Sequence, residues 1–461
     1  MTPPKPRKDA PVVATLLAPD LQAMLAQGAA VVAAETEELH PANLADIASA
    51  LPQEQVLALL RALPAARAAD LLEYLDEDLR TELLEEMTNT QAATLVSAMT
   101  PDDRADTIEE LTDDRADQIL SAIGADARGE TERLLAYDPN TAGGIMTTEF
   151  VSVSEDDTVE RALERVRSLA RAGRREAMHA IYATDAQGRL KGVLSLRELL
   201  AALEGTKIAD LAWTDIVRVP PTMDREEVAR LVSKYDIVAV PVVDDTQRLI
   251  GVVTVDDVID VIVQEQTEDM QKQGAVQPLE VPYLQTSFWS LARKRGGWLI
   301  LLFVEEMFTG TALRYYQNVL AGAISLVFFV PLIVSSGGNS GSQSATLITR
   351  ALAVRDVELH DVMRVLLREI GQGLALGAFL GAIGFVRALM WGNGYDVATV
   401  VALTLLAVVM TGTVAGAMLP LLFTRLGVDP AIASSPFVAS FVDVAGIVIY
   451  FSIARQLLGV G

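Results

Sequence analysis

No cysteine occurs in the 461 residues, so the chain forms no disulfide and offers no thiolate to a metal, which removes zinc ribbons and thiol chemistry. Histidine is nearly missing too, and three imidazoles leave little for a zinc or iron centre. Neither a phosphate-cradling glycine loop of Walker or Rossmann type nor a nucleophile and base constellation is present, so no enzyme is indicated. Positive charge is scarce at the front of the chain. Residues 1–290 hold 26 Lys and Arg against 52 Asp and Glu, whereas residues 291–461 hold 11 against 9. Such an acidic surface disfavours nucleic acid and attracts cations.

What the back of the chain does have is long apolar runs, near 297–313, 321–348, 367–390, 397–424 and 432–458. Each approaches the ~20 residues that cross a bilayer core, which predicts five transmembrane helices. Arg293-Lys294-Arg295 precedes the first run and places that end in the cytoplasm. The loop from Arg350 to Arg368 carries four arginines and falls on the same side, so the C-terminus is expected outside. Met1 to Asp9 lacks an apolar signal-peptide core, which leaves the acidic portion in the cytoplasm of a multi-pass plasma-membrane protein.

From Leu39 a period of twelve runs through Leu51, Leu63, Leu75, Met87, Met99, Leu111 and Ile123, each followed within two residues by Pro, Asp, Thr or Gly. These are helix-start signals, and the intervening residues read as short amphipathic helices that must stack to bury their faces. Within the repeat, Asp102-Asp103-Arg104-Ala105-Asp106 and Asp113-Asp114-Arg115-Ala116-Asp117 put carboxylates four apart on one helix face, as caps and solvated charge or as cation ligands. After residue 137 the pattern becomes a duplicated strand-and-helix module. Strands are expected at 151–153, 180–183, 216–219 and 238–243, with helices at 158–169 and 225–235. The two halves carry matching signatures, Gly192-Val-Leu-Ser-Leu-Arg-Glu-Leu and Gly251-Val-Val-Thr-Val-Asp-Asp-Val. The pair resembles tandem cystathionine-β-synthase (CBS) domains, which are regulatory and in some members bind adenine nucleotides, so ATP between the modules is an expectation taken from the resemblance.

The domain plan is therefore an unassigned extension at 1–38, an all-α helical-repeat domain at 39–136, an α/β CBS pair at 137–203 and 204–263, an acidic connecting helix at 264–290 and a polytopic α-helical membrane domain at 291–461. Asp257 and Asp260 share a face of the last module's helix, with Glu265, Glu268 and Asp269 beyond them, and carboxylates so close invite a cation. In the membrane domain Pro331 is expected to break the second helix, after which Asn339, Ser340 and Gln343 offer neutral oxygens at membrane depth. Ionisable residues there are functional candidates, and two places qualify: Asp443 in the fifth run, and Glu305 with Glu306 in the first. One carboxylate per chain becomes two across the axis of a symmetric homodimer, suited to a hydrated Mg²⁺ that needs few of them.

Taken together, Thr141-Ala-Gly-Gly-Ile-Met-Thr-Thr, Pro331-Leu-Ile-Val-Ser-Ser-Gly-Gly-Asn-Ser-Gly-Ser-Gln-Ser-Ala-Thr-Leu, Gly416-Ala-Met-Leu-Pro and Asp443-Val-Ala-Gly resemble the MgtE family of magnesium channels over nearly the whole chain. The resemblance implies a Mg²⁺-selective homodimer with its pore between the second and fifth helices and Asp443 as the selectivity carboxylate. It further implies closure by cytosolic Mg²⁺ at sensor acids matching Asp102, Asp106, Glu226, Asp236, Asp257, Asp260, Glu268 and Asp269. The Glu305-Glu306 pair departs from that family's mostly uncharged first helix. A CBS-regulated divalent-cation secondary transporter, for Co²⁺ or another divalent ion or coupled to Na⁺ or H⁺, is the alternative.

Overall fold

A computed structural model describes residues 12–171, 180–279, 281, 283, 284 and 286–459, which divide into two compact units, 1–262 and 263–461. The first unit begins with ten helices: α1 Val12–Gln27, α2 Ala29–Glu35, α3 Pro41–Ser49, α4 Gln53–Ala62, α5 Ala65–Glu73, α6 Glu77–Glu86, α7 Asn89–Val96, α8 Pro101–Glu109, α9 Asp113–Ala122 and α10 Ala125–Leu134. From α3 to α9 each helix fits between successive members of the twelve-residue series, and α10 follows its last member, Ile123. Leu51, Leu63, Leu75, Met87, Met99, Leu111 and Ile123 all turn into one core, while Leu39 is exposed and lies outside it. The stops are local chemistry: Pro52 and Pro64 precede α4 and α5 in extended conformation, Thr88 and Gln91 form a capping box on α7, and Pro101 opens α8. Alternate helices then stack, α3 on α5, α5 on α7 and α7 on α9. The extension before Leu39, unassigned from sequence, is helical from Val12, and Ala14, Ala18, Leu21 and Val32 join the same core.

The arginines of the two Asp-Asp-Arg-Ala-Asp segments are the structural parts of those segments. Arg115 is buried and donates to the carbonyls of Leu84 (Nε, 3.0 Å) and Met87 (Nη2, 2.6 Å) and to Asn89 Oδ1 (2.6 Å), closing the orphan C-terminal carbonyls of α6. Arg104, also buried, donates to Thr131 Oγ1 at 2.7 Å and pairs with Glu130 at 2.8 Å, tying α8 to α10.

The first CBS module comprises β1 Val151–Ser154, α11 Val159–Arg171, β2 Ile181–Thr184, β3 Leu190–Leu194, α12 Leu196–Ala201 and α13 Ile208–Leu211, with β1 parallel and β3 antiparallel to β2. The second comprises α14 Arg225–Tyr235, β4 Ala239–Val243, β5 Leu249–Thr254 and α15 Val255–Gln273, with β4 and β5 antiparallel. The strand expected at 216–219 is reduced to a single bridge, Val219 to Val242. Pro220 and Pro221 follow it and Pro241 faces it, and none of the three has an N–H for a ladder. The modules exchange edges: Thr147, ahead of the first, bridges Val252 of the second, and Trp213, ahead of the second, bridges Val193 of the first.

The region taken as a connecting helix over 264–290 is helical to Gln273; the described residues after it are irregular, with turns at 274–275 and 283–284, until α16 begins at Phe288. The second unit then holds α16 Phe288–Tyr315, α17 Gln317–Gly322, α18 Val330–Ala353, α19 Val362–Met390, α20 Tyr395–Arg425 and α21 Ser435–Leu458. Among the described residues five spans are long and apolar enough to cross a membrane, as expected. Pro331 does not break the second span. It sits in the first turn of α18, where its missing N–H costs nothing, after a 3₁₀ turn over Ile324–Phe329. The polar stretch that follows is regular helix, so its backbone is satisfied internally.

Close backbone approach explains its glycines. A β-carbon at Gly412 of α20 would lie 2.5 Å from Gly337 O of α18, and one at Gly416 would collide with Gly341 O. Gly373, Gly377 and Gly381 of α19 meet α20 in the same manner, at Met410, Leu406 and Ala402.

Candidate cation sites

Three groups of carboxylates emerge, each within one unit. The first joins α8 to the start of α15. Asp102 is buried, and its Oδ1 has no hydrogen-bond partner among the described residues. Burial first, then the charge of Asp103, pushes its pKa up to about 6, against the pull of the Thr100 and Thr147 hydroxyls. Burial likewise drives the half-buried Asp257 well above the ordinary range, with Asp102 the next cause, although Thr254 donates to its Oδ2 at 2.6 Å. Asp106 rises to about 7 through desolvation and the charges of Asp102 and Asp103, and Asp260 rises through desolvation and Asp256. The sequence pairs Asp102 with Asp106 and Asp257 with Asp260; the fold brings the two pairs together and adds Asp103 and Asp256. Arg104, engaged with α10, does not neutralise them. By contrast Asp113, Asp114 and Asp117 of the other segment are exposed, as solvated charge.

A buried carboxylate oxygen without a partner is costly unless a cation or proton joins it. Among the described residues no three acidic or imidazole groups converge into a closed cage. The sign of the pH effect follows. Asp102 titrates near 3.8 when unfolded and about 6 when folded, so the cation-free fold gains stability as pH falls from about 7 to about 4 and loses it as pH rises through 6. A divalent cation bound there would compete with protons for the same oxygens. The rise in unfolding temperature caused by added Mg²⁺ is therefore expected to be larger at about pH 8 than at about pH 5, which differential scanning of the full chain in detergent measures.

The second group lies in the second unit. Lys272 contacts Glu268 Oε1 and Asp429 Oδ2, each at 2.6 Å. Burial would lower the lysine's pKa, but these two carboxylates hold it above its ordinary value. Asp269 beside them is raised by desolvation and then by Asp429, Lys272 opposing. Sequence reasoning found Glu268 and Asp269 but not Asp429, which reads as an ordinary helix-start residue and does accept from the N–H of Ala431 through Oδ1, at 2.8 Å. Glu226 and Asp236 stay apart from one another: they occupy opposite ends of α14, about 15 Å along its axis. Glu226 lies 4.0 Å from Arg230, and Asp236 closes the helix in the left-handed region at φ 52°.

The third group is at membrane depth. Asp443 lies about 12 Å into α21. It faces Gly338 of α18, where a β-carbon would stand 3.3 Å from Asp443 Oδ1, so the glycine leaves room for the carboxylate. The charges of Glu305 and Glu306 on α16, which packs against α21, reach Asp443. Next to Gly338, α18 presents Ser335, Asn339, Gln343 and Thr346 as one exposed polar stripe, with Asn339 Nδ2 donating to Ser335 Oγ at 3.3 Å. Ser340, expected among these, points elsewhere: it is buried within the bundle and its Oγ has no partner among the described residues. A further membrane carboxylate, Glu369, is buried in α19 and lay unremarked within the 367–390 run. Its neighbour Arg368 makes the two look like the end of a charged loop.

Comparison with known proteins identifies relatives of the chain. The family described as MgtE, divalent cation transporter, matches residues 330–453; the MgtE intracellular N domain matches 39–140; and CBS domains match 142–205 and 208–264. A protein of Thermus thermophilus described as magnesium transporter MgtE is 40% identical over 327 residues, 71% of this chain and 72% of its own length. Proteins of the same description from Enterococcus faecalis and Bacillus subtilis are 32% identical (71% of each chain) and 30% identical (70% of this chain, 71% of the other). Of solved structures, the cytosolic domain of the Mg²⁺ channel MgtE in complex with ATP is 37% identical, covers 53% of this chain and 100% of its own, and superposes with a TM-score of 0.49. The soluble part of a magnesium transporter is 31% identical over 55% of this chain and 96% of its own, also at 0.49.

Proposed function

The chain belongs to the MgtE family of divalent cation transporters, and on that footing we propose that it is a Mg²⁺ channel whose pore is lined by α18 and α21 of two copies. The supporting observation is the stripe of Ser335, Asn339, Gln343 and Thr346, exposed on a membrane-spanning helix beside Asp443. Lipid cannot satisfy amide and hydroxyl groups, so the stripe faces water or a symmetry mate, and a two-fold axis along it provides both. Hydrated Mg²⁺ passing there meets two Asp443 carboxylates and a wall of neutral oxygens, attraction enough to enter and weak enough to leave.

The α8–α15 carboxylates act as the sensor. At low cytosolic Mg²⁺ their mutual repulsion disfavours the packed arrangement. Bound Mg²⁺ cancels the repulsion and bridges the helices, and the shift passes along α15 toward the membrane domain as a change in the closed population. Lys272 with Glu268, Asp269 and Asp429 forms the second part of that control.

The native absence of cysteine gives a clean test of the pore wall. In the reconstituted chain, Asn339→Cys is expected to be modified by a water-soluble, charged methanethiosulfonate, with loss of most Mg²⁺ flux, while Phe379→Cys, exposed on α19, keeps its flux under the same reagent. Unmodified Cys at 339 contradicts the water-filled wall.

A further inference from the structure

We infer that Glu369 is a positioning residue for the pore, one that sets the rotation and height of α18 through Ser344 and thereby contributes to ion discrimination. The inference rests on the pore assignment above. Glu369 lies about 11 Å inside α19, and it is buried together with Ser344 of α18. Ser344 Oγ donates to Glu369 Oε2 at 2.8 Å, and Thr413 Oγ1 of α20 donates to Glu369 O at 3.1 Å. One residue thus links three helices at a single level.

That level matters because the α18–α20 seam is otherwise smooth, while on its other side α18 is tied to the start of α21 by Ser342 Oγ, which donates to Ser435 O at 3.0 Å. Gly337 and Gly341 meet Gly412 and Gly416 backbone to backbone, and such surfaces fix the distance between helices while resisting rotation and sliding only weakly. Ser340, one turn from Ser344 on the same face, makes no tie: its buried Oγ has no partner among the described residues. A buried hydrogen bond is directional, so Ser344 anchors the helix azimuth on the α20 side, where the glycines do not. Ser344 also stands next to Gln343 of the polar stripe and six residues, about 9 Å, from Gly338, which faces Asp443. A small rotation of α18 about its axis moves Asn339 and Gln343 relative to Asp443, and with them the oxygens that an ion meets.

The test uses the full chain in proteoliposomes and reads the ratio of Mg²⁺ to Ca²⁺ flux, which a loss of protein amount does not change. Glu369→Ala and Ser344→Ala are each expected to shift that ratio by about three- to tenfold, the range spanned by one buried hydrogen bond. The double variant is expected to shift it no further than the larger single one, since both remove the same bond. Glu369→Gln retains an acceptor for Ser344 Oγ and is expected to restore a near-native ratio. Should Glu369→Ala fail to assemble, Ser344→Ala, a much smaller change, decides alone. An unchanged ratio in Ser344→Ala overturns the inference and leaves Glu369 a packing residue. Asp443→Ala is run in parallel: normal flux in that variant removes the pore assignment itself, whereas a silent Asp443→Ala beside an unchanged Ser344→Ala removes only the role of Glu369.

Discussion

Asp443→Ala is expected to reduce Mg²⁺ flux at least about a hundredfold while the protein still inserts and assembles at native yield. A loss of ~3 kcal/mol of ion stabilisation is enough for that factor. The carboxylate is the charge that α21 presents opposite Gly338, and the neighbouring stripe on α18 holds neutral amides and hydroxyls that cannot replace it. Two carboxylates facing one divalent ion at low effective dielectric contribute several kcal/mol, more than the neutral oxygens together. Asp443→Asn keeps the size and polarity of the side chain and is expected to lose nearly as much, because charge and not volume draws a hydrated ion into the path. Flux is read with a Mg²⁺-sensitive dye inside proteoliposomes, and assembly by size-exclusion chromatography. Undiminished flux in Asp443→Ala refutes its place in the pore. Glu305 and Glu306 of α16 remain in that variant, and Glu305 Oε2 is buried without a hydrogen-bond partner among the described residues.

Much of this arrangement was legible from residues alone where the signal is periodic. Seven of the eight twelve-spaced apolar residues face one core because a short helix and its turn consume twelve residues, and burial enforces the repeat. The five apolar runs became five spans for the equally simple reason that bilayer thickness sets helix length. Misreadings came where one residue type serves two purposes. Pro331 reads as a breaker yet starts α18, since a proline in the first turn forfeits no hydrogen bond. Val219 belongs to an apolar run typical of a strand, but the prolines around it leave room for a single bridge. Aspartates of the two Asp-Asp-Arg-Ala-Asp segments are identical in sequence, and only the packing of α8 near the start of α15 separates buried Asp102 from exposed Asp113. Glu369 and Asp429 escaped notice because depth and tertiary neighbours, not local sequence, give them their partners.

The sensor carries the second large expectation. Asp257→Ala combined with Asp260→Ala should keep the channel conducting at cytosolic Mg²⁺ levels that shut the native one, shifting the closing concentration up by about tenfold or more. These acids belong to the cluster with Asp102 and Asp106, where burial and like charge hold several pKa values above the ordinary range. The same crowding that favours a proton favours a divalent cation, and on the proposed mechanism removing two of the carboxylates removes the free energy by which Mg²⁺ would prefer the closed packing. If neutralising them instead shut the channel at every Mg²⁺ level, relief of repulsion alone would be the gate and bridging would play no part.

The deciding measurement is the steady Mg²⁺ current through the full chain in a planar bilayer while Mg²⁺ on the side of the acidic domains is raised stepwise, the native protein beside the Asp257→Ala, Asp260→Ala variant. Native current is expected to fall to baseline as that concentration rises, and variant current to persist over the same range. A native current indifferent to Mg²⁺ on that side, or a variant that closes at the native concentration, contradicts regulation through α8 and α15.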